Sequence, residues 1–322
     1  MGAVVLVTAR SFGSGTADPA KLLKSAGLRV VRAAADHDPD ALREPLAAAG
    51  AWIAGTAPIR ERHLSLAPNL KVIARYGTGV DSVDLAAAGR RGIAVTNTPG
   101  ANTGAVADHA VGLMIAALRH FLAGDRAVRS GERPALRGRE LGALTVGLVG
   151  FGNIGRAVAR RLVGGFGSRV VAYDPYIPPE EMRKMKVWPA DLDELAASSD
   201  VLSLHLPGGS GPLVDEAFLR RMKPGAVLVN TARGDLLDER AVAQALSEGR
   251  LAAAACDVRT SEQGDESPLL AAPNTLLTPH IAAQTVEAID RMGMMAAEEV
   301  VRVLAGESAR HPVVPAKDRR LP

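Results

Sequence analysis

The sequence predicts an α/β protein made of two doubly wound parallel-sheet domains, one inserted into the other. Short β-type apolar runs alternate with helical patterns from end to end, which is typical of parallel sheets with helices on both faces. A long helical segment interrupts this alternation near residue 103, and the strand pattern then restarts. The chain has 322 residues, of which 47% are hydrophobic, and this is enough for two sizeable cores.

The first block contains five predicted strands and three predicted helices. The strands are residues 4–8, 28–32, 51–54, 71–74 and 93–96, and the helices are residues 19–26, 39–49 and 83–91. A long helix is predicted over residues 103–123, because apolar side chains recur there at helical spacing. We expect Asn102 or Thr103 to cap it and Gly124 to end it. Its apolar stripe is interpreted as a packing surface or a subunit interface.

The second block contains six predicted strands and is followed by a last helix. The strands are residues 144–149, 169–173, 201–205, 226–230, 252–256 and 275–278. The last helix is predicted over residues 285–304 and should end at Gly306. We therefore expect a first domain of residues 1–98 with 284–322, and an inserted domain of residues 99–283.

Composition excludes several classes of protein. The net charge is only +3 and the charges of both signs are interspersed, so we expect no nucleic-acid partner. Cys256 is the single cysteine, which excludes an intrachain disulfide, and we interpret it as a packed residue and not a nucleophile. The apolar stretch at residues 3–7 is too short for a signal peptide, and no run approaches the roughly 18 residues that span a bilayer. We expect a cytoplasmic protein with no membrane partner.

A glycine-rich turn follows the first strand of the second block. Gly150 permits a tight turn, Gly152 lets the backbone approach a pyrophosphate, and Gly155 lets the next helix pack on the strand. The start of that helix supplies N–H donors and partial positive charge to phosphates. Asp174 lies 19 residues after Gly155, where a carboxylate binds ribose hydroxyls and repels a 2′-phosphate. With six strands in the block, this pattern predicts a Rossmann domain that binds NAD in preference to NADP.

Polar residues of catalytic type follow the later strands of this block. His205, Arg233, Asp257 and His280 lie at successive strand ends, and the carboxyl ends of parallel strands share one edge of the sheet. Arg binds a carboxylate through two hydrogen bonds, and His serves as a base near neutral pH. A carboxylate such as Glu262 beside that His would orient its ring, whereas His205 is interpreted as a strand-end hydrogen-bonding residue. The set predicts hydride transfer between a nicotinamide cofactor and a 2-hydroxy acid, with no metal site.

These motifs resemble those of the D-isomer-specific 2-hydroxyacid dehydrogenase family, and within it the phosphoglycerate dehydrogenase-like branch. The resemblance covers nearly the whole chain. It rests on the segments Arg75-Tyr76-Gly77-Thr78-Gly79-Val80-Asp81, Val95-Thr96-Asn97-Thr98-Pro99-Gly100-Ala101-Asn102, Tyr173-Asp174-Pro175, Asn230-Thr231-Ala232-Arg233-Gly234, Asp257-Val258 and Thr278-Pro279-His280-Ile281, together with the glycine-rich turn. It implies a Rossmann NAD-binding domain inserted into a flavodoxin-like substrate domain, and a homodimer formed through the long helix.

The resemblance also implies roles for individual residues. The catalytic cation falls on Arg233, the acid/base on His280 and its carboxylate partner on Glu262. Cofactor contacts are implied for Thr78, Gly150, Gly152, Asn153, Ile154, Gly155, Asp174, His205, Leu206, Pro207, Thr231, Ala232, Arg233, Asp257, His280, Ala282 and Ala283. Substrate contacts are implied for Gly55, Thr56, Arg75, Tyr76, Gly77, Thr78, Gly79, Arg233 and His280.

Three segments depart from the family pattern, and the first is the loop of residues 206–213, which is shorter and more glycine-rich than usual. The loop after the fifth strand of the second block lacks the usual Glu-x-Glu-Pro sequence, although Glu262 keeps the expected spacing. Gly55 and Thr56 replace the Arg-Ser pair of many phosphoglycerate dehydrogenases. A phosphate-side cation would therefore have to come from Arg60 or Arg75.

Two other functions are compatible with the sequence. Formate and phosphite dehydrogenases resemble the family, but the formate enzymes carry Gln at the Glu262 position, which would require a shift of register to Gln263. An NAD-sensing binding protein, like the corepressors that resemble this family, would bind a partner without turnover. The intact Arg233, Glu262 and His280 favour an enzyme acting on a D-2-hydroxy acid, with 3-phosphoglycerate or a related phospho- or phosphono-acid among the candidates. Since the chain ends at Pro322, we expect no appended regulatory domain.

Overall fold

The computed structural model describes residues 2–260 and 266–313, which form two compact units. Unit 1 comprises Met1–Asn102 with Ala283–Pro322, and unit 2 comprises Thr103–Ala282. The junctions expected from the sequence lie after residues 98 and 283. Both units are parallel-sheet α/β folds, which confirms the predicted fold class.

Unit 1 is a five-stranded parallel sheet with the order β2-β1-β3-β4-β5, the flavodoxin-like order. Its strands are β1 (Val4–Val7), β2 (Arg29–Arg32), β3 (Ala49–Ala54), β4 (Val72–Arg75) and β5 (Ala94–Thr96). Its helices are α1 (Pro19–Ser25), α2 (Arg43–Ala48), α3 (Glu61–Ser65), α4 (Leu85–Arg90) and α12 (Val286–Leu304). All five strands were predicted, whereas the five-residue α3 is too short to leave a periodic signal.

The three central strands of unit 1 are buried along their whole length. Each residue of β1, β3 and β4 is buried, which explains why these strands read as continuous apolar runs and not as alternating ones. Side chains cap the helices around them: Asp18 accepts from the Lys21 N–H, and Thr285 accepts from the Ala288 N–H.

Unit 2 is a seven-stranded parallel sheet with the order β12-β11-β10-β9-β6-β7-β8. Its strands are β6 (Thr145–Val149), β7 (Arg169–Tyr173), β8 (Trp188–Pro189), β9 (Val201–Leu204), β10 (Ala226–Asn230), β11 (Leu251–Cys256) and β12 (Thr275–Leu277). Counted from β6, this is the Rossmann order 3-2-1-4-5-6 with one further strand beyond the sixth. The two-residue strand β8 was not predicted, because it is very short and its Pro189 is tolerated only at a sheet edge.

The helices of unit 2 correct one prediction. They are α5 (Thr103–Leu118), α6 (Phe121–Arg129), α7 (Asn153–Arg161), α8 (Pro179–Lys184), α9 (Leu192–Ser198), α10 (Glu216–Arg221) and α11 (Glu239–Ser247). The predicted single helix over residues 103–123 is wrong, because His120 takes a left-handed φ of 54° that separates α5 from α6. Gly124 does not end a helix: its N–H donates to the His120 carbonyl inside α6.

Residues 2–260 and 266–313 contain neither a single membrane-spanning helix nor a cluster of metal-binding side chains. No single helix there is long and apolar enough to span a membrane; α5 and α6 pass the length and composition test only as a pair bent by 59°. In the same residues, no group of three or more His, Cys, Asp or Glu side chains could hold a metal ion.

Candidate active site

The predicted site residues of unit 2 lie at one edge of its sheet. All seven strands run parallel, so the residues that follow them share the carboxyl edge. The segments that follow a strand there are Gly150–Gly152 after β6, Asp174 after β7, His205–Pro207 after β9, Thr231–Arg233 after β10, Asp257 after β11 and Thr278–Ala282 after β12. The structure therefore brings the predicted site residues of unit 2 to one edge, and their contacts with a ligand stay a prediction.

The glycine-rich turn has the geometry that its sequence predicts. Gly150 has a φ of 98°, and a Cβ there would lie 2.6 Å from the His205 carbonyl oxygen. A Cβ on Gly155 would overlap the Gly150 carbonyl oxygen, so the start of α7 packs directly on the turn. A Cβ on Gly152 would have no atom within 4 Å, and Gly152 precedes α7 without a side-chain cap. The first N–H groups of α7 are therefore open to an anion.

Asp174 is fixed by the same turn. One carboxylate oxygen accepts from the Phe151 N–H at 2.8 Å, and the other accepts from the Tyr176 N–H at 2.9 Å. A carboxylate has about four acceptor positions, so roughly two remain for ribose hydroxyls. Asp174 is thus held beside the phosphate-binding turn, where its negative charge opposes a 2′-phosphate.

Two buried polar atoms at this edge have no partner among the described residues. They are Oγ1 of Thr231, which follows β10, and Nδ1 of His205, which follows β9. The other ring nitrogen of His205 lies 3.1 Å from the Ser203 hydroxyl, and burial lowers the pKa of His205 to about 4, so the ring is neutral at pH 7. Buried polar atoms normally form hydrogen bonds. Two buried polar atoms without a partner, on the same sheet edge as the uncapped start of α7, therefore fit a polar ligand such as a dinucleotide.

Asn230 holds the loop that carries Arg233. Its side-chain amide donates to the Arg233 carbonyl at 2.7 Å, and its side-chain oxygen accepts from the Ala232 N–H at 3.0 Å. The Arg233 guanidinium donates to the Ala232 carbonyl at 2.7 Å and is half-buried. Asn230 was noted only as part of a motif, yet its burial at a strand end makes it the residue that sets the position of Arg233.

Glycines pack the neighbouring loops tightly against this one. A Cβ on Gly208 would lie 2.5 Å from the Asp235 carboxylate and 2.9 Å from Cγ of Arg233. Asp235 also accepts from the Gly209 N–H at 2.6 Å. A Cβ on Gly234 would overlap the Arg259 carbonyl group. Gly208 in the loop after β9 and Gly234 in the loop after β10 therefore allow three strand-end loops to pack together around Arg233.

Asp257 fixes the turn that carries His280. Its carboxylate accepts from the Thr278 hydroxyl at 2.5 Å, the Ile281 N–H at 2.9 Å and the Ala282 N–H at 2.8 Å. Burial opposes the charged form, but these hydrogen bonds and one from His109 hold the pKa of Asp257 below its ordinary value. The cofactor contact implied for Asp257 stays a prediction, and the structure adds that its carboxylate holds the residues on both sides of His280.

Glu262 lies outside the described residues, and its role stays a prediction. The residues that flank its segment are held by Glu239, the first residue of α11. The Glu239 carboxylate accepts from the Thr260 N–H and from the Ser267 hydroxyl, both at 2.6 Å. Cys256 is buried as predicted, and burial raises the pKa of its thiol to about 12, so it is not a nucleophile.

The remaining predicted residues belong to unit 1. Gly55 and Thr56 follow β3, Tyr76, Gly77, Thr78 and Gly79 follow β4, and Ala283 precedes α12. Arg75 is buried at the end of β4 and donates to the carbonyls of Ala54 and Tyr76. The turn after it is closed by Thr98, whose hydroxyl oxygen accepts from the Gly77 N–H at 3.1 Å.

Comparisons with known proteins agree with this geometry. Residues 111–282 match the family model described as D-isomer specific 2-hydroxyacid dehydrogenase, NAD binding domain. The D-3-phosphoglycerate dehydrogenase of Mycobacterium tuberculosis (strain ATCC 25618 / H37Rv) is 43% identical over 248 residues, which cover 76% of this chain and 47% of that protein. The chain therefore spans about half the length of that relative.

Two further relatives match over more of their own length. The hydroxypyruvate reductase of Thermotoga maritima is 40% identical over 243 residues, covering 73% of this chain and 78% of that protein. A crystal structure of a protein from Thermus thermophilus superposes with a TM-score of 0.87 at 37% identity, covering 97% of this chain and all of that one. These matches confirm the predicted family and NAD as the cofactor of its Rossmann domain. The chain belongs to the D-isomer specific 2-hydroxyacid dehydrogenase family.

Proposed function

We propose that this chain is an NAD-dependent oxidoreductase that moves a hydride between NAD(H) and a D-2-hydroxy acid or its 2-oxo acid. One observation carries the proposal: the open start of α7, Arg233 and the Asp257-held turn with His280 share one edge of the unit 2 sheet. The reaction requires a cation that binds the substrate carboxylate, an acid/base, and a site for the dinucleotide. Arg233, His280 and the turn before α7 supply these three parts.

Arg233 and His280 divide the chemistry between them. Arg233 binds the substrate carboxylate and the 2-oxygen, and its loop is held by Asn230 so that the cation is oriented in advance. His280 takes the hydroxyl proton during oxidation and returns it during reduction, with Glu262 as its carboxylate partner. When bound, NAD supplies the hydride acceptor.

The cofactor would be held by the residues already described at this edge. The N–H groups at the start of α7 bind the pyrophosphate, and Asp174 accepts from the ribose hydroxyls. Thr231 and His205 offer their unsatisfied atoms to the polar groups of the cofactor. Because Asp174 opposes a 2′-phosphate, NADH should support turnover and NADPH should not.

For the substrate we propose 3-phosphoglycerate or a related phospho- or phosphono-acid. The identity with D-3-phosphoglycerate dehydrogenases supports this choice. Hydroxypyruvate reductase and glyoxylate reductase are also relatives, so smaller 2-oxo acids belong in the test. The panel is therefore 3-phosphohydroxypyruvate, phosphonopyruvate, hydroxypyruvate and glyoxylate.

The deciding experiment measures loss of NADH absorbance with each acid of the panel. We expect turnover with a phosphorylated or phosphonylated acid, and Arg233→Ala should lower kcat/KM at least roughly 100-fold, since removing one partner of a charge pair costs about 3 kcal/mol. Arg240→Ala is the matched control, because Arg240 is an exposed arginine of α11.

Three results would contradict the proposal in different ways. Tight NADH binding without turnover on any acid would favour an NAD-sensing binding protein. Near-normal turnover in His280→Ala would reject His280 as the acid/base. Higher activity with glyoxylate than with 3-phosphohydroxypyruvate would reject the proposed substrate class while keeping the reaction.

We also propose that the chain forms a homodimer through the α5–α6 region. The helix α6 exposes large apolar side chains, with Phe121 56% and Val128 73% exposed, and the half-exposed Leu136 lies beside Gly124. Apolar side chains grouped on a surface are typical of interfaces. Sedimentation velocity should give a dimer for the wild type and a monomer for Phe121→Glu with Val128→Glu; an unchanged dimer in that variant would exclude this surface.

A further inference from the structure

His109 connects α5 to the turn that follows β12. Its Nε2 atom lies 3.1 Å from the Thr278 hydroxyl oxygen and 3.5 Å from the Asp257 carboxylate. The side chain of Asp257 is 1% exposed and that of His109 is 22% exposed. His109 is separated from Thr278 by 169 residues in sequence, and it lies in none of the motifs, whereas Thr278 belongs to the Thr278-Pro279-His280-Ile281 motif.

The direction of these hydrogen bonds follows from counting protons. The Thr278 hydroxyl has one proton, and an ionised carboxylate accepts only, so this hydroxyl donates to Asp257. The Thr278 oxygen must then accept from His109, which places a proton on Nε2. The chain of donors runs from His109 through Thr278 to Asp257, and each bond in such a chain strengthens the next.

The same carboxylate holds the other side of His280. The N–H groups of Ile281 and Ala282 donate to it, and the His280 N–H donates to the Asp257 backbone carbonyl at 2.9 Å. His280 has a left-handed φ of 54°, which is unfavourable for a residue other than glycine and persists only where neighbouring contacts enforce it. Thr278 on one side and residues 281–282 on the other provide that enforcement.

We propose that His109 is a positioning residue for His280, acting through Thr278 and Asp257. This inference rests on the proposed function, because it assumes that His280 is the acid/base. His109 itself does not contact the reacting atoms in this scheme. It sets the orientation of the Thr278 hydroxyl, and thereby the carboxylate that fixes the catalytic turn.

The kinetic test compares two substitutions of His109. Since a misplaced reacting group lowers rates by up to about 100-fold, we expect His109→Leu to lower kcat by roughly tenfold. KM for the 2-oxo acid should stay unchanged, because Arg233 is untouched. His109→Gln keeps an N–H donor and should recover most of the rate. Asp108→Asn is the control, because this neighbour has an exposed side chain that pairs with Arg161.

The variants overturn the proposal in two cases. One is a His109→Leu enzyme with wild-type kcat, and the other is an equal loss in the Leu and Gln variants. Should His109→Leu fail to fold, Thr278→Val replaces it, with Thr278→Ser as the conservative partner that restores the hydroxyl and the rate.

A second measurement does not depend on turnover. Nitrogen-15 NMR of the imidazoles should show the proton of His109 on Nε2 in the wild type, and Thr278→Val should shift the resonances of both His109 and His280. A proton on Nδ1 alone would overturn the proposal. If no acid is turned over, the proposed function fails, while the spectra still decide whether His109 orders this turn.

Discussion

The two units differ at the turn that leads from the first strand to the next helix. The start of the helix is capped by a side chain in unit 1 and is uncapped in unit 2. In unit 1 the turn from β1 to α1 is long, with buried Phe12 packed into it and Asp18 capping the helix. In unit 2 the turn from β6 to α7 has three residues, and Gly152 leaves the helix uncapped. A helix that is capped by its own chain has satisfied its N–H groups, whereas an uncapped one presents them to a ligand.

The residue directly after each first strand shows the same contrast. Thr8 follows β1, and its hydroxyl oxygen accepts from the Trp52 indole at 2.9 Å and lies 2.7 Å from Nε2 of His37. His37 and His63 lie buried around it, and His63 bonds to the His37 carbonyl. Gly150 follows β6 and has no side chain. Unit 1 thus satisfies polar groups through a side chain at this point, whereas unit 2 has a glycine whose neighbours leave no room for a side chain.

The largest expected effect comes from adding a side chain where Gly155 packs against the Gly150 carbonyl oxygen in unit 2. Gly155→Ala places a methyl group against the Gly150 carbonyl, and we expect it to lower the free energy of unfolding by about 3 kcal/mol. Gly152→Ala is the matched control, because nothing lies within 4 Å of its Cβ position. Urea denaturation of both variants measures the difference. Equal stabilities would show that the turn can relax and that its glycines are not packing residues.

Acid should destabilise the buried hydrogen-bond network of unit 1 that contains His37. Burial lowers the pKa of His37 from 6.5 to about 4, so between these values the unfolded chain binds a proton that the folded chain does not. The contribution of His37 to the free energy of unfolding is therefore fully present above pH 6.5. It is lost as the pH falls toward 4, where the loss reaches roughly 3 kcal/mol. Urea denaturation across this range should show a shallower loss in His37→Asn, since Asn tolerates the left-handed φ of 59°.

The control for the acid series is a half-buried histidine of unit 2. His120→Asn removes a side chain at a similar left-handed φ of 54°. A shallower acid loss in this variant as well would show that the effect of His37→Asn is not specific to His37. A His37→Asn profile that matches the wild type would assign the acid sensitivity to other groups, of which His205 is the first to test, because its pKa is lowered to about 4 as well.

The smallest expected effect comes from giving α7 an N-cap side chain like that of α1. This change tests the difference between the two helix starts most directly. Gly152→Asp introduces an N-cap carboxylate where the cofactor phosphates should bind. NADH affinity should fall roughly 100-fold, about 2.7 kcal/mol, by charge repulsion, while stability stays level or rises. Fluorescence titration measures the affinity. Asp18→Gly in unit 1 is the reciprocal control and should leave NADH binding unchanged; undiminished NADH binding in Gly152→Asp would exclude the start of α7 as the phosphate site.

Whether a feature could be predicted from the sequence depended on how far apart in sequence its residues lie. The Gly150–Gly155 turn and the strand-end residues such as Arg233 were predictable, because each is encoded within one strand-turn unit. The break at His120 was not, since a left-handed residue inside an apolar helical pattern leaves no periodic signal. The link from His109 to Thr278 was also out of reach, because it joins residues 169 apart and depends on how α5 packs on the sheet.

The two hydrogen bonds of Glu239 have a consequence for engineering the segment that follows β11. Its carboxylate ties Thr260 to Ser267, so the ends of the segment between them are fixed by α11 whatever sequence joins them. Loop closure grows only slowly more costly with length, and anchored ends confine an insertion to the loop itself. An engineer can therefore exchange the segment between these two anchors for that of a relative, provided that a carboxylate is kept at the Glu262 position for His280.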